Sequence, residues 1–515
     1  MNFESTFDYI IVGAGAAGCV IAYRLIKNLD CRVLLVEAGD RDRHPAIHNT
    51  DLPSMTSLWG SAVDWNYVTE TQAGLADRTI PISQGKVLGG GSSINAMMYV
   101  RGNRRDYDRW QSLGNQGWSY QDLLPYFQKS EDYEGGASAY RGAGGLLHVI
   151  NYRDPAPVSA AFIAAAMELG YGGDFWDCNG EQQENGAFFY QSTRTEDNHR
   201  CSAAVAFLNP ILAHPNLTVA TNAHATKLVV EQERVIGLEY LQAGKINCVG
   251  ADTEVIVCCG AFASPKLLML SGIGGAEQLQ QQGIAVVADV PGVGKNLQDH
   301  LLFGVGYRCQ TDQPTPNLLS EAGLFTYSSN DLDRQLNSPD LQFFFGPVQF
   351  LAAQYQVDGP GFTFAPILVQ PESRGTVTLR SNNPQDLAVI QPNYLASVKD
   401  VEVLVRGIEL SRELVNTSAF DKFRGEELAP GVQLTSKADL SAYIRQVAST
   451  VWHPVGTCKM GRDRDAVVNA QLQVRGVAGL RVADASIMPT ITSGNTNAPT
   501  MAIAEKAADL IMAAC

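Results

Sequence analysis

The chain has 515 residues, 45% of them hydrophobic, and a net charge of −15. That length exceeds what one ordinary core sustains, so two domains are expected; the charge repels polyanions and argues against nucleic acid or an anionic membrane surface as partner. No apolar run is long enough to span a bilayer, and residues 1–6 lack the basic start and apolar core of a secretory leader, so a cytoplasmic protein with no integral membrane segment is expected.

From the amino end, residues 7–12 (Phe-Asp-Tyr-Ile-Ile-Val) read as a strand running into Gly13-Ala14-Gly15-Ala16-Ala17-Gly18, and residues 32–36 as a second strand ending at Glu37. Strand, Gly-rich turn, helix and strand ending in an acid form the dinucleotide fingerprint. Gly13 permits the tight turn, Gly15 lets the backbone approach a pyrophosphate, and Gly18 lets the helix pack on the strand. The helix N-terminus points free N–H groups at the phosphates, and Glu37 accepts from a ribose diol. This unit alone does not separate NAD from FAD.

Residues 84–96 (Gln-Gly-Lys-Val-Leu-Gly-Gly-Gly-Ser-Ser-Ile-Asn-Ala) form a loop of small residues suited to lie against a flat ligand and donate backbone N–H groups. The loop feeds the apolar residues 96–100, which favours burial over a surface linker. Residues 103–110 are dense in charge and read as a solvated helix or lid segment. Residues 216–221 and 226–230 alternate and carry β-branched side chains, hence strands, while residues 253–259 form a continuous apolar run, hence a buried strand. A turn and helix follow over 260–274, with Pro265 near the start and Gly274 at the end. The ten cysteines include the neighbours Cys258 and Cys259 but no CxxC, which suits buried or free thiols in a reducing compartment and suggests neither a zinc site nor a redox dithiol. The 310–450 stretch, with Phe343-Phe344-Phe345, scattered prolines and strand-like residues 375–380, reads as part of a second domain.

Near the carboxyl end stands Val451-Trp452-His453-Pro454-Val455-Gly456, followed by Asp484 in residues 482–486 and by Asn495-Thr496-Asn497. An imidazole in a Gly/Pro-shaped loop and the Asn497 amide 44 positions later (497 − 453) are expected to converge on one small polar group, an alcohol site in outline. Histidine alone among side chains supplies a neutral proton acceptor near pH 7 without a large pKa shift. An amide there positions a hydroxyl and transfers no proton.

Together with Gly85-Lys86-Val87-Leu88-Gly89-Gly90-Gly91-Ser92-Ser93 and residues 291–300 (Pro-Gly-Val-Gly-Lys-Asn-Leu-Gln-Asp-His), these motifs resemble the glucose–methanol–choline (GMC) oxidoreductase family over essentially the whole chain. The resemblance implies an α/β fold (α+β over the whole): a Rossmann-like FAD-binding domain formed by 1–155, 196–310 and 451–515, and a substrate domain formed by 156–195 and 311–450, with a mainly antiparallel sheet over the flavin. It implies FAD as cofactor and oxidation of a small-molecule primary alcohol, with His453 taking the hydroxyl proton, Asn497 holding the oxygen and hydride passing to flavin N5. Cofactor contacts are implied for Gly13, Gly15, Ala16, Gly18, Glu37 and Ala38 in the first unit, for Val87, Gly90, Asn95 and Ala96 in the loop, and for Ala225. Asp484, Ala485, Asn495 and Thr496 complete that set, Asp484 reading equally as a helix cap. Leu302, Phe344 and Trp452 are implied for the substrate pocket.

Ile94 stands where choline oxidases tether the flavin through a histidine, so non-covalent FAD is expected. Leu301, Leu302 and Phe303 stand where those enzymes carry the carboxylate for choline's ammonium, and Phe344 where they carry a substrate-binding histidine, so an apolar or aromatic alcohol is favoured. Hydroxynitrile lyase-like and photodecarboxylase-like members are the alternatives, although Val369 stands where the latter carry a cysteine. Val451 resembles the small apolar residue that helps oxygen reach a reduced flavin and is equally ordinary core filler, which leaves the electron acceptor open between O2 and a quinone-like carrier.

Overall fold

The computed structural model describes residues 3–173, 176–329 and 336–514. Its first sheet has seven strands in the order Leu217–Ala220, Val33–Val36, Thr6–Val12, Lys245–Val257, Arg234–Gln242 and Ala223–Glu231, with Leu480–Val482 joined to Lys245–Val257. The long strand Lys245–Val257 does two jobs. Its first half pairs antiparallel with Arg234–Gln242, and its second half pairs parallel with Thr6–Val12 and Leu480–Val482. Residues buried on both faces, such as Ile10, Ile11, Leu34, Leu35, Val255 and Ile256, explain the continuous apolar runs read from the sequence.

Helix Ala16–Asn28 packs against this sheet, and a Cβ at Gly18 would collide with the Gly13 carbonyl oxygen, so close helix–strand contact requires glycine. Helix Asn497–Met512 lies beside it. The buried carboxylate of Glu505 joins the two through bonds of 2.7 and 2.6 Å from Arg24, which ties the amino end of the chain to its carboxyl end.

The second sheet has eight strands. Its main order is Arg424–Ala429, Val305–Cys309, Gly361–Leu368, Leu341–Gly346, Ala322–Thr326 and Gly186–Phe189, all antiparallel, with Leu301–Leu302 bridging Gly361–Leu368 and Ser449–Thr450. Strand alternation sorts the three phenylalanines. Phe343 and Phe345 enter the core under helices Pro157–Glu168 and Val398–Val415, where Phe345 stacks on Phe162 at 4.6 Å, while Phe344 turns to the opposite face among Met98, Val100 and Ile367.

Two sequence readings meet particular elements. Leu301–Leu302 and Val305–Cys309, expected in the first domain, pair within the second sheet. The charge-dense segment at 103–110 forms helix Arg104–Ser112, exposed at Asp108 and Arg109 but with Asp106, Tyr107 and Trp110 buried on its other side. The Asp106 carboxylate accepts from Ser338 Oγ at 2.6 Å, Gln370 Nε2 at 3.1 Å and the Ser493 backbone N–H at 2.7 Å, partners too distant in sequence for a local pattern to reveal.

Candidate active site

A cavity runs between the two sheets. At one end it is lined by Gly13, Gly15, Ala16, Glu37, Ala38 and Ala225, and beyond them by Gly90, Asn95, Ala96, Asp484 and Ala485. At the other end stand Phe344, Val451, Trp452, His453, Asn495, Thr496 and Asn497.

The first end is a backbone construction. Gly13 has φ +97°, a conformation glycine adopts freely, and helix Ala16–Asn28 begins there without a side-chain cap, its amino end open to the cavity. Glu37 accepts from the Ala14 and Gly39 N–H groups at 2.9 and 2.8 Å. Burial pushes its carboxyl up to about 7 against those hydrogen bonds. A Cβ on Gly90 would lie 2.7 Å from Gly15 Cα, so the two glycine loops cross in direct contact. Arg200, missed in the sequence reading, holds the second loop by donating to Asn95 O at 2.7 Å and Asn95 Oδ1 at 2.9 Å. Asp484 is both a cavity residue and a cap: it accepts from Ser486 N–H at 2.8 Å, Gly260 N–H at 2.8 Å and Ser264 Oγ at 2.5 Å.

The second end centres on His453. Its backbone N–H donates to Asp299 Oδ1 at 2.8 Å, its Nδ1 lies 3.1 Å from Nδ1 of His300, and its Nε2 lies 3.4 Å from the Asn495 amide nitrogen. Burial lowers its pKa to about 3, so the ring is neutral at physiological pH. Asp299 anchors the arrangement: Oδ1 also accepts from His300 N–H at 2.9 Å, and Oδ2 accepts from Tyr394 and Thr450 hydroxyls, both at 2.5 Å. Burial raises its carboxyl to about 6. Trp452 is held at φ +61°, a costly conformation for a bulky residue, with its N–H bonded to Thr450 Oγ1 at 2.7 Å. The strain turns the next residue, His453, toward the cavity.

The amide nitrogen within reach of His453 is that of Asn495, while Asn497 also lines the cavity. Gly494, at φ +114°, turns the chain before Asn495, whereas Asn497 is already the first residue of helix Asn497–Met512 and makes no described hydrogen bond to His453. Val87 and Leu302 pack behind the cavity wall. Val87 is buried among Ile47, Leu58 and Ile94 beneath the glycine loop, and Leu302 packs behind Phe344. Gly18 packs the helix onto the strand. Asp299 and His300 lie within the 291–300 motif, and only the fold brings them to His453.

Family models of GMC oxidoreductase match this chain over residues 7–302 for the amino-terminal part and 371–504 for the carboxyl-terminal part. The chain belongs to the GMC oxidoreductase family. Among its relatives, alcohol dehydrogenase (acceptor) of Pseudomonas putida is 40% identical, the match covering 98% of this chain and 96% of that protein. The mitochondrial choline dehydrogenase of Mus musculus is 39% identical, over 99% of this chain and 90% of that protein. The crystal structure of pyridoxine 4-oxidase from Mesorbium loti superposes with a TM-score of 0.90 at 34% identity, covering 98% of both chains.

This GMC oxidoreductase is FAD-dependent and acts on CH–OH donors. The cavity fits FAD on its own terms. The crossed loops at Gly15 and Gly90 leave room only for backbone, the open end of helix Ala16–Asn28 suits a pyrophosphate, and the buried Oδ1 of Asn495 has no partner of its own. No described helix is long and apolar enough to cross a membrane.

Proposed function

We propose that this GMC oxidoreductase oxidises an apolar or aromatic primary alcohol to the aldehyde, with FAD held non-covalently in a cytoplasmic protein. The observation that carries the reading is the neutral His453 beside Asn495 at the aromatic end of the cavity. Glu37, Ala14 and the first glycine turn hold the adenosine side of FAD, and Asp484 and the loop around Asn95 the remainder. Bound FAD would supply the hydride acceptor for the alcohol carbon. His453 takes the hydroxyl proton at its imidazole, and Asn495 keeps the oxygen in line. Ile94 offers no nucleophile for a covalent tether.

Substrate preference follows from the walls. The carboxylates lining the cavity, Glu37 and Asp484, already take backbone N–H groups away from His453, whereas Trp59, Phe344, Val451 and Trp452 surround the reacting end. A sugar would leave hydroxyls unpaired there, while each added methylene tightens binding by up to about 0.8 kcal/mol until the cavity fills. The test is kcat/KM for cinnamyl alcohol, hexanol, choline and glucose, measured in air and with an artificial acceptor. Both apolar alcohols should lead; choline or glucose ahead of both would overturn the preference. The same experiment distinguishes O2 from a quinone-like acceptor.

A further inference from the structure

His300 is buried completely behind His453, and its two ring nitrogens have partners of different kinds. Nε2 lies 3.2 Å from the Val369 carbonyl oxygen and Nδ1 lies 3.1 Å from Nδ1 of His453. A carbonyl only accepts, so Nε2 of His300 carries hydrogen; the Thr492 carbonyl, which also faces this ring, can likewise only accept. A neutral imidazole carries one hydrogen, which leaves Nδ1 of His300 as a lone pair. Two lone pairs do not meet at 3.1 Å, so Nδ1 of His453 carries hydrogen and donates. Nε2 of His453 is then bare on the side of Asn495, whose amide nitrogen donates toward it at 3.4 Å.

We propose that His300 is a positioning residue that fixes the tautomer of His453, keeping Nε2 free for the substrate hydroxyl. The inference rests on His453 being the proton acceptor. When the alcohol O–H bond breaks, the electron pair stays on oxygen and the proton forms the new bond at Nε2. The positive charge then strengthens the Nδ1–H bond to His300, since a charged donor makes the stronger hydrogen bond. Asp299 cannot take this task, because it holds the His453 backbone N–H and not the ring. Burial and the neighbouring His453 both keep His300 neutral, consistent with its role as acceptor.

The test compares His300→Leu, His300→Asn and His453→Ala with the parent holoenzyme, using anaerobic flavin reduction by whichever panel alcohol reduces the parent fastest. Histidine ¹⁵N NMR of the parent and of His300→Leu supplies an independent reading. The parent should show His453 as the single Nδ1–H tautomer, and His300→Leu should mix the two. That variant should slow reduction by about 10²-fold, the scale of a mispositioned proton acceptor, with FAD content and alcohol KM little changed. His300→Asn, whose Oδ1 can accept from Nδ1–H, should recover most of the rate. If the Leu variant does not retain FAD, His300→Phe, which fills the space of the ring and offers no acceptor to His453 Nδ1–H, should be equally slow. An unchanged tautomer, a parental rate in the Leu or Phe variant, or an Asn variant no faster than Leu would overturn the proposal. A parental rate in His453→Ala would instead overturn the reading of His453 beneath it.

Discussion

Gly13, Gly15 and Glu37 lie within a stretch of 25 residues (37 − 13 + 1), whereas Asp299, His300, Tyr394, Thr450, His453 and Asn495, at the other end of the same cavity, span 197 (495 − 299 + 1). The dinucleotide end is backbone geometry, set by glycine conformations and one acid at a strand end. The proton-acceptor end is a side-chain network, held in register by strands of the second sheet that return to the first. Local order survives many distant changes. The network depends on every element that brings a donor to Asp299.

That contrast can be broken most forcefully at Asp299. Asp299→Ala leaves two backbone N–H groups and two hydroxyls without their acceptor; at about 1–3 kcal/mol for each group left buried and unpaired, the expected outcome is a large fall in thermal midpoint or loss of folded protein. A midpoint close to the parent's would show that the network does not hold the site. Next in size is Glu37→Ala, which should weaken FAD retention by ~1.5–3 kcal/mol through loss of a charged acceptor, measured by titrating the apoprotein with FAD, while leaving the flavin that does bind reducible at the parental rate. Unchanged affinity would remove Glu37 from the cofactor site.

A smaller effect sharpens the register at the second end. Asn495→Ala should slow anaerobic reduction by about tenfold, since water replaces part of its bonding, and Asn497→Ala should change it less; the reverse order would restore the assignment expected from sequence. A separate effect concerns pH. His453 has a folded pKa of about 3 against an ordinary value of 6.5, so between those values the unfolded chain binds a proton that the folded chain refuses. Stability from this group is therefore present above pH 6.5 and is lost as pH falls toward 3. Urea midpoints measured across that window should fall less steeply in His453→Gln, and equal slopes would contradict the neutral, buried ring.

The difference between the two ends also decides what a reader of the sequence can see. The glycine turn and Glu37 were legible because backbone conformation leaves its mark on adjacent residues. The antiparallel second sheet was legible from the family resemblance, but not its extent: Val305–Cys309 carries no sign of which sheet it joins. Asn495 and Asn497 look alike in the chain, and only the start of helix Asn497–Met512 after Gly494 selects the one that meets His453. Asp106 looked solvated because its neighbours are charged, yet Ser338, Gln370 and Ser493 converge on it from far along the chain and set the loop that carries Asn495. Val87 and Leu302 sit one layer behind the wall, a distinction made by tertiary packing.

Anaerobic stopped-flow bleaching of the flavin by cinnamyl alcohol, compared between the parent and His453→Ala at equal FAD content, tests the central claim most directly. The parent should bleach within the mixing experiment and the variant should be slower by about 10²–10⁴-fold, the range for losing a positioned proton acceptor. Equal rates in the two proteins would contradict the account.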